Sequence, residues 1–319
     1  MRILAGIILA AAAPALALSA SVQLAQANAA LQAGEADKAL ALLAPLAQPG
    51  GAAEAYNLKC RVEYSLEQWN RAAEDCEQAV RLDGQNSVDH LWLARALGEK
   101  ASRASFLSAY KLAKRVRAEF EEAVRLNPQS GEALADLGNF DSSAPGVVGG
   151  GLDKAEGVAA QLDRIDPIRA HELRARINGK RKDYGTAERL LKQTITASAH
   201  PAFQWMNLAG FYRERERWTE MESAVRSGQS AAERDKRAGV ALYNGAALLI
   251  QTNRDSARAV KMLEEYLAGS AKSEDAPAFV AHTWLARLKQ QLGDTAGAGR
   301  ERAAALALAH EYQPARDLK

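Results

Sequence analysis

The sequence predicts an all-α protein built from about eight helical repeats. Three observations support this fold class. Alanine is very frequent, whereas β-branched residues, aromatics and proline are sparse, which favours closely packed helices. Apolar residues recur at helical spacing within segments that end at glycine or polar turns. One such segment also recurs along the chain with a period of about 34 residues.

The clearest repeat segment spans residues 66–86. Its apolar and small residues, among them Trp69, Cys76 and Ala79, are spaced as one face of a helix, with charged residues between them. Asp83 and Gly84 then mark a turn. This segment therefore serves as the template with which the rest of the chain is compared.

Comparison with this template gives eight units, starting with residues 21–51 and 53–86. The third unit needs about ten extra residues, which fall within 98–115 and are predicted to form a lengthened helix or an extra turn rather than a flexible loop. The fourth needs about five, which fall in the glycine-rich segment 144–151. The sixth matches the template best, with large and small residues in register at Trp205, Leu208, Ala209, Tyr212 and Trp218.

This pattern resembles the tetratricopeptide repeat, in which each unit is a pair of antiparallel helices with small residues at their close contact. The resemblance covers most of the chain. It implies that about eight helix-turn-helix units stack into an open, right-handed α-solenoid. It also implies a concave groove, lined by the first helix of each unit, that binds a protein or peptide.

Register with that family places arginine at one inward-facing position of several units. The candidate partner-binding residues are Asn57, Arg61, Arg95, Asn139, Arg176 and Arg287. Arginine and asparagine suit carboxylates and peptide backbone. The alternative is that arginine is merely a soluble, helix-compatible residue at these positions.

The N-terminus has the features of a secretory signal peptide over residues 1–20. Arg2 precedes an apolar run that ends before Pro14, and small residues follow at Ala15 and Ala17. We expect cleavage after Ala17 or Ala20, a repeat array over 21–319, and a periplasmic or secreted protein. An uncleaved membrane anchor is the alternative, although Pro14 weakens it.

The charge pattern argues against nucleic acid, because a net charge of +2 on a balanced surface lacks the basic stripe that phosphate binding needs. A local basic run does occur in the third-unit insertion. It fits a solvated face, an acidic partner or peripheral contact with an anionic membrane; its members are Lys100, Arg103, Lys111, Lys114, Arg115 and Arg117.

No catalytic, metal or cofactor motif is evident. His90, His171 and His282 occupy the same repeat position in separate units, which predicts packing roles rather than a shared metal. The segment 144–151 lacks the Lys and Ser/Thr of a phosphate-binding loop, so it is predicted to be a shaped or partner-contacting loop followed by an Asp153 helix cap. We expect no cofactor and no enzyme activity.

Cys60 and Cys76 are the only cysteines, and they fall on the two helices of one unit. Their spacing matches neither a zinc site nor a redox CxxC motif. An oxidising compartment favours a disulfide between them, whereas the repeat register places them about one helical turn out of line, which favours two buried thiols.

Together these features predict a non-enzymatic scaffold or adaptor in the bacterial envelope that binds a protein or peptide. The alternatives are a membrane-associated envelope assembly factor and a hydrolase acting on cell-wall material.

Overall fold

The computed structural model describes residues 12–318, with side chains from residue 19 onward. This part of the chain contains seventeen α-helices, and all but the last form eight consecutive pairs, here called units 1 to 8. Each helix packs mainly on its neighbours in sequence. The helices are α1 Ala12–Ala33, α2 Ala36–Leu43, α3 Ala53–Ser65, α4 Trp69–Leu82, α5 Ser87–Ser102, α6 Phe106–Leu126, α7 Gly131–Ser143, α8 Leu152–Leu162, α9 Pro167–Lys180, α10 Tyr184–Ala197, α11 Pro201–Arg213, α12 Trp218–Arg234, α13 Gly239–Gln251, α14 Ser256–Ala268, α15 Ala278–Gln291, α16 Thr295–Leu308 and α17 Gln313–Arg316.

Short acidic side chains begin several of these helices. Asp166, Asp183 and Asp294 each accept a hydrogen bond from the backbone N–H three residues later, which satisfies a donor that has no partner within the helix. The predicted cap at Asp153 is wrong. Helix α8 begins after Gly151, and Asp153 lies exposed within its first turn.

Small residues allow the helices of neighbouring units to approach closely. Ala72, Ala94 and Ala209, for example, are fully buried. A side-chain carbon built at Gly138 of α7 would lie 2.3 Å from Leu173 Cδ2 on α9, so only glycine fits there without repacking. The all-α repeat fold predicted from the sequence is therefore confirmed.

Unit 3 is longer than its neighbours because both of its helices are extended. Helix α6 has 21 residues, whereas α4 in unit 2 has 14. At the helical rise per residue, α6 extends about 10 Å further. The residues predicted as an insertion within 98–115 thus form the end of an α5–α6 hairpin. The segment 144–151 forms a loop with a short 3-10 turn at Gly146–Val148.

The predicted helical solenoid is confirmed, but it is not open, because the two ends of the array contact each other. A buried cluster joins Leu24 of unit 1 to Phe279 and Tyr312 beyond unit 7. At Gly34, in the turn of unit 1, an added side-chain carbon would lie 2.4 Å from the backbone nitrogen of Ala278. Units 1 and 2 therefore pack against unit 8 through their turns.

The predicted signal peptide falls largely on residues 1–11, which lie outside the described residues. Residues 12–20 continue without a break into α1, which ends at Ala33. Within residues 12–318, no helix is both long enough and apolar enough to cross a membrane.

Candidate functional site

The predicted groove residues come from the first helices of their units, and the structure divides them into three groups. Arg61 on α3 and Arg95 on α5 flank one tryptophan. Asn139 on α7 and Arg176 on α9 line a cavity. Asn57 and Arg287 lie apart from both places.

Arg61 and Arg95 both stack on the ring of Trp92, a side chain only 7% exposed. The guanidinium carbons lie 5.3 and 4.7 Å from the ring centroid. Such cation–π contacts hold the arginine planes in place. Arg95 Nε also donates to Asp136 over 2.7 Å, and its Nη2 donates to Glu132 over 2.7 Å. Burial lowers the pKa of Arg95, but these two carboxylates outweigh that effect and raise it.

Arg61 binds a carboxylate from the far end of the chain. Its Nε donates to Glu274 Oε2 over 2.9 Å and its Nη2 donates to Glu274 Oε1 over 2.5 Å. Gln32 Nε2 on α1 donates to the same Glu274 Oε1 over 2.8 Å. Glu274 lies in the loop between α14 and α15, so this contact joins the connection between units 7 and 8 to Gln32 of unit 1 and Arg61 of unit 2.

A second region of the groove is a cavity of about 550 Å³ between units 4, 5 and 6. Its walls come from the first helices α7, α9 and α11. The cationic and amide side chains that line it are Asn139, Arg169, Arg176, Lys180, Asn207 and Arg215.

Arg176 and Lys180 are the cations of this cavity that are available to a ligand. Both side chains are exposed, and neither guanidinium nor ammonium forms a hydrogen bond or ion pair within residues 19–318. They lie one helical turn apart on α9 and therefore point to the same side. Arg169 differs, since its Nε binds Asp166 over 3.0 Å.

The carboxylates of the cavity already have partners. Burial raises the pKa of Asp136, with Arg95 opposing that effect. Burial also raises the pKa of Glu172, whose Oε1 accepts a 2.7 Å hydrogen bond from Asn207. These acids therefore compete weakly for a cation such as Arg176.

Arg215 forms a wall of the cavity rather than a free cation. Its guanidinium lies 3.6 Å from the Phe211 ring centroid and 4.6 Å from that of Tyr184. Its Nη1 donates to the Phe211 carbonyl over 2.8 Å. Held between two rings, it presents a flat and rigid edge to the cavity.

Asn57 and Arg287 neither line the cavity nor stack on Trp92. Asn57 is only 4% exposed and lies beside the buried Asp89 of α5, so the prediction that it contacts a partner in the groove is not supported by its position. Arg287 donates to the Pro314 carbonyl over 3.3 Å and so links α15 to α17. Repeat register identified the correct helix in both cases but not the side-chain surroundings.

The two cysteines form a disulfide between α3 and α4, with Cα atoms 5.3 Å apart. Close by, Glu63 is 1% exposed and lies 3.7 Å from Lys59 Nζ. Burial, reinforced by a hydrogen bond to Asp75, raises the pKa of Glu63 to about 8. Unit 2 is thus cross-linked and contains a buried acid.

Three histidines pair with acidic residues of their own or the next unit. His90 Nδ1 lies 2.6 Å from Glu119, His282 Nδ1 lies 2.7 Å from Glu301, and His200 contacts Asp235. Among residues 12–318, no group of three or more His, Cys, Asp or Glu side chains is arranged to hold a metal ion.

Glu274, the acidic partner of Arg61, is the residue near the predicted groove positions that the sequence patterns did not identify. It belongs to no helix. The repeat pattern does not predict that its loop contacts Arg61, which lies 213 positions earlier in the chain. The sequence Ser273–Glu274–Asp275 does stand out as acidic among a lysine and small residues, which was the only available hint.

No protein-family model and no curated protein matches the chain. Solved structures do match it. The crystal structure of yeast Tom70 superposes with a TM-score of 0.53 at 15% identity, covering 87% of this chain and 58% of the Tom70 chain. A tetratricopeptide repeat protein from Parabacteroides merdae has a TM-score of 0.47 at 13% identity and covers 86% of this chain and 99% of its own. This chain thus spans little more than half the length of the Tom70 chain. The eight helix pairs in register, together with that likeness, show that the fold is tetratricopeptide-repeat-like.

Proposed function

We propose that this chain is a non-enzymatic scaffold that binds a protein or peptide segment carrying a carboxylate, in the cavity between units 4, 5 and 6. The observation that carries the proposal is the guanidinium of Arg176, which is unpaired among the residues that the structure describes. Arg176 stands at the same repeat position as Arg61, Arg95 and Arg287, and unlike those three it has no acceptor within residues 19–318.

The neighbouring contacts indicate which chemistry suits that position. Arg61 and Arg95 each bind carboxylates, and Arg61 does so through two nitrogens of one guanidinium. A carboxylate from a partner would meet the same two-pronged donor at Arg176, with Lys180 adding a second positive charge. Asn139 and Asn207 offer amide groups for the partner's backbone.

The size and shape of the cavity fit a short peptide stretch. A volume of about 550 Å³ lies within the range of small ligand pockets. Leu173, Met206 and Phe211 supply apolar walls. A segment with one acidic and one apolar residue would therefore use both kinds of surface.

We place this scaffold in the bacterial envelope, as a periplasmic or secreted protein. Residues 1–20 read as a signal peptide. The Cys60–Cys76 disulfide is consistent with an oxidising compartment. Release of the protein by osmotic shock, with the disulfide intact by thiol labelling, would support this location, and retention in the cytoplasm with free thiols would contradict it.

A peptide-display selection tests the binding proposal. Wild-type protein should enrich sequences that contain Asp, Glu or a free C-terminal carboxylate. The double variant Arg176→Glu, Lys180→Glu should lose that enrichment. Arg226→Glu is the matched control, because Arg226 is exposed on α12, a second helix outside the cavity. Recovery of the same sequences by all three proteins would reject the site.

A further inference from the structure

The end of the α5–α6 hairpin carries two exposed apolar side chains. Phe106 is 90% exposed and Leu107 is 66% exposed, and they are the first two residues of α6. Phe106 is the most exposed large apolar side chain within residues 19–318. Burial of side chains of this size is favourable, and neighbouring exposed apolar side chains form the kind of contiguous patch that is typical of interaction sites.

Basic side chains continue this exposed surface along the helix. Lys111 lies four residues after Leu107, and Lys114 lies four after Tyr110, so these residues share one side of α6 with Phe106. The Lys114 ammonium lies 4.8 Å from the Tyr110 ring centroid. Neither lysine forms an ion pair within the described residues.

The arginines of the same hairpin are already neutralised. Arg103 binds Glu99 over 2.6 Å, Arg115 binds Glu77 over 2.6 Å, and Arg117 binds Asp141 over 2.9 Å. The free charge at the hairpin end is therefore carried by lysine. Lysine is a flexible point charge suited to many headgroup arrangements, whereas arginine is the residue suited to fixed two-pronged contacts with a protein carboxylate.

From this arrangement we propose that the α5–α6 hairpin end binds an anionic lipid membrane surface, with Phe106 and Leu107 entering the lipid and Lys111 and Lys114 contacting headgroup phosphates. A projecting apolar pair needs an apolar phase that can deform around it, which a bilayer provides. Exposed lysines complement the negative surface potential of such a bilayer. None of these four residues lines the cavity between units 4, 5 and 6.

A single dye attached at position 106 tests the proposal. Both native cysteines are bonded to each other, so Phe106→Cys creates a unique free thiol in the full chain. An environment-sensitive dye there should shift its emission to shorter wavelength with vesicles of phosphatidylcholine and phosphatidylglycerol in equal parts. It should not shift with phosphatidylcholine alone. The matched control is Leu292→Cys, since Leu292 is 57% exposed in the turn before α16.

Charge reversal of Lys111 and Lys114 is the second experiment. Lys111→Glu with Lys114→Glu should weaken vesicle binding by about fivefold or more for each lysine, while Lys236→Glu, an exposed lysine far along the chain, should leave it unchanged. An unshifted dye at 106 with the acidic vesicles would overturn the proposal, as expected if the hairpin binds an acidic protein instead. Equal shifts at 106 and 292, equal shifts with neutral vesicles, or insensitivity to the lysine reversal would overturn it as well.

Discussion

At the scale of single residues, the groove depends on which charged side chains have partners inside the protein. Arg61 and Arg95 are held by acids of this chain, whereas Arg176 is not. Sequence register could predict that arginines share one position, because the helical repeat determines which side chains point inward. It could not predict which of them would be neutralised, because that depends on acids such as Glu274 and Asp136 that lie on other elements.

The buried acid Glu63 predicts a pH dependence of stability. Burial and the neighbouring Asp75 raise the pKa of Glu63 to about 8, above the value of about 4.3 expected in the unfolded chain. The folded state therefore binds the extra proton between these values. The stability that this proton contributes to the folded state is fully present below about pH 4 and is lost as pH rises through about 8.

We expect Glu63→Gln to flatten this dependence. Its free energy of unfolding, measured by urea denaturation, should exceed that of wild type near pH 8 by on the order of 1 kcal/mol or more, and should differ less near pH 5. Glu74→Gln is the control, because Glu74 is exposed on the same unit's second helix. Parallel pH profiles for wild type and Glu63→Gln would show that Glu63 does not hold this proton.

At the scale of elements, helices and turns were predictable wherever the pattern is local. Trp69, Cys76 and Ala79 identified α4. The extra residues of unit 3 were expected to form a lengthened helix or an extra turn, and both α5 and α6 are longer than the helices of unit 2. Helix starts were less predictable, as Asp153 illustrates. A capping residue is identified by the backbone geometry at the first turn of a helix. Helix α8 begins at Leu152, directly after Gly151, so Asp153 falls inside the first turn.

The loop between α7 and α8 provides a test at this scale. A side-chain carbon at Gly150 would lie 2.0 Å from the Ala144 carbonyl oxygen, so Gly150→Ala should destabilise the protein by about 2 kcal/mol. Gly146→Ala in the same loop meets no atom within 4 Å and should change stability by less than about 0.5 kcal/mol. Thermal unfolding compares the two variants, and equal melting temperatures would mean that the loop is not built as described.

At the scale of the whole molecule, the ends of the array close on each other. The sequence could not predict this closure, because a repeat pattern encodes contacts between neighbours and the closing contacts join residues more than two hundred positions apart. Tyr312 Oη donates to Glu67 over 3.1 Å, and the His310 backbone N–H donates to Asp37 over 2.9 Å. These contacts supplement the pair formed by Arg61 and Glu274.

Charge reversal at this junction should separate the two ends of the array. Glu274→Arg places two cations together and should increase the radius of gyration in small-angle scattering, with a loss of stability of about 2 kcal/mol. Adding Arg61→Glu restores an opposite pair and should recover most of the compactness. If the single variant scatters like wild type, the ends are held together by other contacts or are not held together in solution.

The central claim is that Arg176 binds a carboxylate of the partner, and a double-mutant cycle tests it most directly. A selected acidic peptide and its counterpart with the carboxylate changed to an amide are titrated calorimetrically into wild type and Arg176→Gln. The account predicts a coupling energy of about 1.5–3 kcal/mol between Arg176 and the carboxylate, as for a hydrogen bond to a charged group. A coupling energy indistinguishable from zero would contradict it.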